Sequence, residues 1–158
     1  MTDAPRLFED SRDLLQALDE AGAEYVVVGA HALAAHGIPR ATGDFDVLVR
    51  PSPGNAERVV RALLAFGAPL QAHGVTAEDF ARPGTVYQLG LPPRRIDLLT
   101  RISGVSFDQA WSSRWIVELE GRQVPVLGRE ALLENKRSTG RAKDWLDVRA
   151  LEQHLDES

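Results

Sequence analysis

Three aspartates in two short apolar segments are the residues of this sequence best suited to chemistry. Asp44 and Asp46 flank Phe45 in DFDVLV, and Asp97 lies in IDLL. Side chains alternate between the faces of a strand, so Asp44 and Asp46 are predicted to share one face. Two carboxylates on one side of an apolar strand repel each other and resist burial unless a cation lies between them. The pattern therefore indicates a divalent metal site.

The proposed metal site depends on Asp97 lying on a strand beside Asp44 and Asp46. Three carboxylates would then converge on one face, which is a usual arrangement for magnesium bound together with substrate phosphates. Two metals in such a site activate an attacking oxygen and stabilise a leaving pyrophosphate. The alternative is that the three aspartates are turn or cap residues at strand ends.

Two further features could bind phosphate. Gly29 and Ala30 lie where the strand YVVV meets an alanine-rich helix, and a backbone there can offer amide donors to a phosphate. Near the C-terminus, Lys136, Arg141 and Lys143 could neutralise a polyphosphate. The alternatives are a simple tight turn at Gly29 and a solvated helix face for the basic residues.

Hydrophobic periodicity predicts an α+β fold in which a short mixed β-sheet is flanked by helices. The predicted helices are 8–21, 30–35, 55–66, 105–113, 129–139 and 141–155. The predicted strands are 25–28, 44–49, 86–91, 95–100, 115–119 and 124–127, of which the last four form two hairpins.

Two local features of the second half give specific expectations. Proline cannot donate to a strand ladder, so Pro125 predicts that the second hairpin lies at a sheet edge. Spacing along the last helix predicts a buried stripe formed by Trp145, Val148, Leu151 and Leu155.

Length and composition are those of one ordinary globular domain spanning residues 1–158, with its core at about 25–151. The absence of cysteine excludes a disulfide framework, a thiolate zinc site and a cysteine nucleophile. No apolar run approaches the roughly 20 residues of a membrane span, and the polar N-terminal segment lacks the apolar region of a signal peptide. We therefore expect a cytoplasmic protein without a membrane partner. The net charge of −5 argues against nonspecific coating of long nucleic acids.

Three blocks of the sequence resemble the minimal nucleotidyltransferases of the polymerase-β superfamily. The blocks are VVVGAHALAAHG…RATGDFDVLV, RIDLLTRISGVSFDQAW and VPVLGREALLENKRSTGRAKDWLDVRALE, and they occur in the order expected for that family. The resemblance is greatest to the small prokaryotic branch that includes toxin and abortive-infection nucleotidyltransferases. It covers about four-fifths of the chain, from roughly Tyr25 to Leu151, and implies a nucleotidyltransferase-like fold.

The resemblance implies a role for each residue that matches a family motif. Gly29 and Ala30 match the glycine–serine or glycine–glycine pair that cradles the triphosphate, although Ala30 lacks the serine hydroxyl. Asp44 and Asp46 match the two metal-binding aspartates. Asp97 matches the third acid, which binds metal or deprotonates the acceptor.

The resemblance also implies nucleotide contacts outside the acids. Arg40 and Thr42 match residues that line the nucleotide pocket on the approach to the acid pair. Lys136 matches a lysine that reaches the nucleotide phosphates, and Lys143 is the second basic residue that we expect to contact them.

These observations together predict a nucleotidyltransferase that depends on Mg²⁺, with Mn²⁺ as the alternative metal. It would move a nucleoside monophosphate from an NTP to a hydroxyl group and release pyrophosphate. The toxin-like relatives imply a tRNA 3′ end or a protein side chain as acceptor, and a cognate antitoxin as partner.

Two other interpretations stay open at the sequence level. A non-catalytic member of the same fold would bind a nucleotide or a partner protein without turnover, and Ala30 favours it. A haloacid-dehalogenase-type phosphatase or a metal-dependent glycosyltransferase also uses Asp-x-Asp strands. The phosphatase motif requires an apolar strand leading into its first aspartate, whereas RATG precedes Asp44 here, and a glycosyltransferase domain is usually longer.

Overall fold

Two apolar strands that pair next to each other form the middle of a mixed sheet. The computed structural model describes residues 8–38 and 43–156. In these ranges the strands are β1 (Tyr25–Val28), β2 (Phe45–Val49), β3 (Val86–Leu89), β4 (Ile96–Leu99), β5 (Trp115–Leu119) and β6 (Arg122–Val126). The helices are α1 (Glu9–Ala21), α2 (Gly29–Ala35), α3 (Pro53–Phe66), α4 (Leu70–His73), α5 (Ala77–Ala81), α6 (Phe107–Ser112), α7 (Arg129–Thr139) and α8 (Ala142–Asp156).

The six strands lie in the order β3–β4–β2–β1–β6–β5. Strand β1 is antiparallel to β2 and parallel to β6, and β2 is parallel to β4. The hairpins β3–β4 and β5–β6 complete the two sides of the sheet. This mixed sheet with flanking helices confirms the predicted α+β fold class.

The side-chain pattern of β2 decides which residues enter the core. Phe45, Val47 and Val49 are at most 1% exposed, so they pack into the core as the alternation predicts. Asp46 lies between Phe45 and Val47 and is only partly buried. The apolar face therefore anchors the strand, and the opposite face presents the carboxylate.

The buried side chain of Asn55, at the start of α3, ties β1 to the end of β2. Its Oδ1 accepts a hydrogen bond from the Glu24 backbone N–H at 2.7 Å. Its Nδ2 donates to the backbone carbonyls of Glu24 and Arg50, both at 3.1 Å. All of these buried polar atoms are thereby satisfied, so the two central strands are held in one register.

Helices pack around this sheet and against each other. Leu14, Leu15 and Leu18 of α1 are fully buried, and α1 packs on α3, which also contacts α5. Helices α7 and α8 pack together as a separate pair. None of the helices in residues 8–38 and 43–156 combines the length and the apolar character needed to cross a membrane.

The second half of the chain confirms one local prediction and corrects another. The second hairpin lies at a sheet edge as predicted, but the edge strand is β5, and Pro125 lies in β6 between β5 and β1. β6 tolerates the proline because it pairs with β1 at a single register position, Val27 with Val126. In α8, Val148 and Leu151 are buried as predicted, whereas Trp145 is 49% exposed. The side chain of Leu155 lies outside the described residues.

Candidate active site

The turn between β1 and α2 packs against Asp46 of β2. Gly29 has φ of +72°, a conformation that side-chain-bearing residues rarely adopt. A Cβ atom built on Gly29 would also lie only 2.4 Å from Oδ2 of Asp46. Glycine is therefore required at this position by both the backbone conformation and the contact with the carboxylate.

Asp46 and Asp97 lie opposite each other on neighbouring parallel strands. The register pairs Asp46 of β2 with Asp97 of β4, and burial, together with the neighbouring Asp97 carboxylate, raises the pKa of Asp46. The prediction that Asp97 lies on a strand next to the Asp44–Asp46 segment is confirmed. The carboxyl group of Asp44, just before β2, completes an acid cluster of Asp44, Asp46 and Asp97.

The guanidinium group of Arg95 joins Asp44 to Asp97. Arg95 Nη2 lies 2.8 Å from Oδ2 of Asp44. Its Nε donates to Oδ1 of Asp97 at 3.0 Å, and Nη2 donates to Oδ2 of Asp97 at 3.3 Å. Arg95 precedes Asp97 by two residues, so both side chains point to the same side of the sheet.

The environment of Asp46 disfavours its negative charge. Burial, together with the neighbouring charges of Asp97 and Asp44, raises the pKa of Asp46 to about 6, and Arg95 only partly opposes this rise. A carboxylate crowded by other carboxylates gains most from an added cation. The acid cluster therefore carries more negative charge than Arg95 neutralises.

The acid cluster provides hard oxygen donors of the type that Mg²⁺ and Mn²⁺ prefer. In the described part of the chain, no three His, Asp or Glu side chains are arranged as a ready-made metal cage. The guanidinium of Arg95 instead acts as the cation that bonds Asp44 and Asp97. The donor chemistry and the excess negative charge fit a divalent metal, provided that Arg95 moves away from the two carboxylates.

A buried ion-pair network joins α7 to α8 beside the acid cluster. Lys136 Nζ lies 3.2 Å from Oδ1 of Asp144 and 3.3 Å from Oδ2 of Asp147. Oδ2 of Asp144 also accepts hydrogen bonds from the Thr139 hydroxyl and from Arg141 Nε, both at 2.6 Å. Burial alone would raise the pKa of Asp144, but the hydrogen bonds from Thr139, Arg141 and Lys136 outweigh it and lower the pKa. The charge of Lys136 is thus already balanced by two carboxylates.

One open cavity of about 960 Å³ brings these groups together. Its lining includes the acid cluster together with Gly29, Ala30 and Arg95. The same cavity is also lined by residues of the α7–α8 region, namely Lys136, Thr139, Arg141, Lys143 and Asp147. Lys143 is exposed and has no ion-pair partner among the described residues. A polyanion could therefore lie between the acid cluster and an available cation.

No protein-family model and no curated protein sequence matches the chain. Among solved structures, the chain is similar to the crystal structure of TM1012 from Thermotoga maritima, a protein proposed to be a nucleotidyltransferase. The similarity covers 99% of this chain and 100% of that chain, with a TM-score of 0.55 and 16% sequence identity. The chain has a nucleotidyltransferase-like fold. At 16% identity the similarity shows the fold alone.

The nucleotidyltransferase-like fold brings together eight of the ten site residues predicted from sequence, since all eight line the cavity. They are Gly29, Ala30, Asp44, Asp46, Asp97, Lys136, Arg141 and Lys143. The other two, Arg40 and Thr42, lie outside the described residues. The roles of all ten in binding and catalysis stay predictions.

Sequence reasoning missed Arg95, which among the described residues makes the closest cationic contacts to the acid cluster. A usable signal was present, because a residue two positions before Asp97 on a strand shares its face. It also missed Asn135 and Ser103, which line the cavity and are joined by a hydrogen bond from Asn135 Nδ2 to the Ser103 carbonyl at 3.0 Å. No periodicity distinguishes these two from ordinary surface residues.

Proposed function

We propose that the protein is a metal-dependent nucleotidyltransferase of the minimal, polymerase-β-like type. The main support is the register pairing of Asp46 with Asp97 on parallel strands, directly against the Gly29 turn. These carboxylates line a cavity that is also lined by Lys136, Arg141 and Lys143. Such a combination of charges suits a substrate that needs both a bound cation and neutralised phosphates.

Asp44, Asp46 and Asp97 would hold Mg²⁺, or Mn²⁺ as the alternative metal. When bound there, a divalent metal would supply charge neutralisation at the reacting phosphate and activation of the attacking oxygen. Because Gly29 has no side chain, its backbone can approach a triphosphate closely, and Ala30 begins the helix beside it.

The basic residues of the proposed site would act on the leaving group. Lys143 is the exposed cation that can contact triphosphate oxygens directly, and Arg141 lies beside it at the cavity wall. Lys136, which Asp144 and Asp147 already neutralise, adds an ammonium group beside the phosphates without a net positive charge. The resemblance implies that Arg40 and Thr42, which lie outside the described residues, would also contact the nucleotide.

The proposed reaction is the transfer of a nucleoside monophosphate to a hydroxyl group. The acceptor oxygen forms a bond to the α-phosphorus, and the bond from that phosphorus to the bridging oxygen of the β-phosphate breaks. Pyrophosphate leaves with the electrons of that bond, and the hydroxyl proton passes to Asp97 before it reaches solvent. We propose a tRNA 3′ end or a protein side chain as the acceptor, a cytoplasmic reaction, and a cognate antitoxin as the regulating partner.

The proposal is tested by incubating the protein with each α-labelled NTP, Mg²⁺ and a total extract of tRNA and protein. Wild type is expected to transfer label to one macromolecular fraction. Asp46→Ala should reduce transfer by at least about a hundredfold, the scale of removing one electrostatic group from an active site. Asp13→Ala serves as a matched control, because Asp13 is an exposed acid on α1 that does not line the cavity. Equal labelling by wild type and Asp46→Ala would contradict the proposal.

The second candidate function is nucleotide or partner binding without turnover. The pairing of Arg95 with both Asp44 and Asp97 favours it, because these carboxylates already have a cation. Ala30 favours it too, since it offers no side-chain hydroxyl to a phosphate. Measurable NTP binding with no label transferred from any of the four nucleotides would support this function over catalysis.

A further inference from the structure

Arg95 is the basic side chain that contacts the acid cluster within the described ranges. Its guanidinium makes three contacts of 2.8–3.3 Å with Asp44 and Asp97. The planar fork of an arginine can bond two carboxylates at once and does not lose its proton. Arg95 is therefore a permanent internal cation at the acid cluster.

A divalent metal and this guanidinium require the same oxygen atoms. Asp44 Oδ2 and Asp97 Oδ1 each accept a short contact from Arg95, and a metal ligand must direct its lone pairs at the metal instead. Two cations held next to each other also repel. Metal binding and the Arg95 contacts therefore compete with one another.

Arg95 has space to leave the carboxylates. Its side chain is 28% exposed, it lines the open cavity, and it lies just before β4 on the short connection that follows β3. Partly exposed ion pairs of this kind have small net free energies. Displacement of Arg95 by a doubly charged ion is thus physically accessible without unfolding of β4.

We propose that Arg95 is a positioning residue that competes with the divalent metal for Asp44 and Asp97. This inference rests on the proposed function, since it assumes that the acid cluster is the metal site. In the metal-free protein, Arg95 keeps the carboxylates together and lowers their mutual repulsion. When metal binds, Arg95 moves into the cavity, so the metal affinity is weaker than the acid cluster alone would give.

The test measures Mn²⁺ binding directly, by electron paramagnetic resonance of free Mn²⁺ and by calorimetry, without nucleotide. Arg95→Gln is expected to bind Mn²⁺ more tightly than wild type, by up to about fivefold, because an ion pair of ordinary surface strength is no longer lost on binding. Arg95→Lys keeps the charge but not the bidentate fork, so its affinity should lie between the two. Arg122→Gln is the matched control, since Arg122 pairs with Asp19 away from the cavity, and its affinity should equal that of wild type.

The outcomes separate this inference from the proposed function. Equal or weaker Mn²⁺ binding by Arg95→Gln, with binding still lost in Asp46→Asn, would overturn the competition and leave the metal site intact. No Mn²⁺ binding by wild type and Arg95→Gln alike would overturn the metal site and the competition together. Thermal unfolding in EDTA checks folding: Arg95→Gln should melt cooperatively, at a lower temperature than wild type, because the carboxylates lose their internal cation.

Discussion

Both the backbone conformation and the packing at position 29 require glycine. The positive φ disfavours any side chain, and a Cβ atom would overlap the carboxylate of Asp46. These two penalties have different origins, because the first is local and the second requires β2 to lie in its native position. Substitutions can separate them.

Gly29→Ala should lower the free energy of unfolding more than Gly22→Ala does. Gly22 has nearly the same φ, +71°, but open space around it, so its substitution costs only the left-handed backbone, about 1–2 kcal/mol. At Gly29 the displaced carboxylate adds roughly 1–3 kcal/mol, as in other overpacked sites. Chemical denaturation measures both values. Adding Asp46→Ala should recover part of the extra loss at Gly29, and equal losses at the two glycines would contradict the overlap.

The raised pKa of Asp46 makes stability depend on pH in a definite direction. Its carboxyl group binds a proton more tightly in the folded protein, where its pKa is about 6, than in the unfolded chain, where it is near the ordinary 3.8. This group therefore contributes stability that is fully present below about pH 4. The contribution is lost as the pH rises through 6.

Asp46→Asn should stabilise the metal-free protein at pH 8 and have little effect at pH 4. The asparagine is neutral at both values, so it avoids the charge that the neighbouring carboxylates oppose. A pKa rise of this size corresponds to a gain on the order of 1–3 kcal/mol at pH 8. Urea unfolding in EDTA at the two pH values measures it. If Asp46→Asn gains no more stability at pH 8 than at pH 4, the neighbouring carboxylates do not raise the pKa of Asp46.

At the scale of elements, the α7–α8 pair is held by charges of two different kinds. Lys136 and Asp144 form a buried pair, with side chains 10% and 0% exposed. Arg137 and Glu152 join the same two helices at the surface, with side chains 42% and 51% exposed. Only the Lys136–Asp144 pair is buried, so only its loss leaves a charge out of water with one partner fewer.

Asp144→Asn should destabilise the protein far more than Glu152→Gln. We expect about 2–4 kcal/mol for Asp144→Asn, at or below the range for a broken buried ion pair because Asp147 still faces Lys136. Glu152→Gln removes an exposed pair and should cost less than about 1 kcal/mol. Both substitutions keep the side-chain shape, and unfolding in urea compares them. Similar losses would mean that the buried network adds no more than a surface contact.

The sequence predicted elements best where periodicity and turn residues agree. Strands β1 and β2 combine apolar runs with adjacent glycine and proline, and their bounds were predicted to within a residue. Pro125 correctly indicated a hairpin at a sheet edge but not which of its strands is outermost, because β5 is the edge strand and β6 lies between β5 and β1. Prediction failed at Trp145, where the helical spacing suggested a buried side chain but the residue is 49% exposed.

For the whole molecule, the residues of the acid cluster were predictable and their partners were not. Alternation along two strands is encoded locally, so Asp46 and Asp97 could be placed on matching faces. The contacts of Arg95 with Asp44, and of Lys136 with Asp144 and Asp147, depend on side-chain geometry across elements. These contacts decide whether each cation is available to a ligand. That availability cannot be predicted from residue type and spacing alone.

Strand β4 lies between β2 and β3, so the acid cluster forms only when β4 is paired between them. Leu91, in the turn between β3 and β4, is 81% exposed, and a break in the backbone there would leave Asp46 in one piece and Asp97 in the other. The second piece would have to insert its strand into a gap in the sheet of the first before the carboxylates could meet. If the chain were supplied as these two pieces, activity at the cavity would report that the pieces had joined, as in a split reporter.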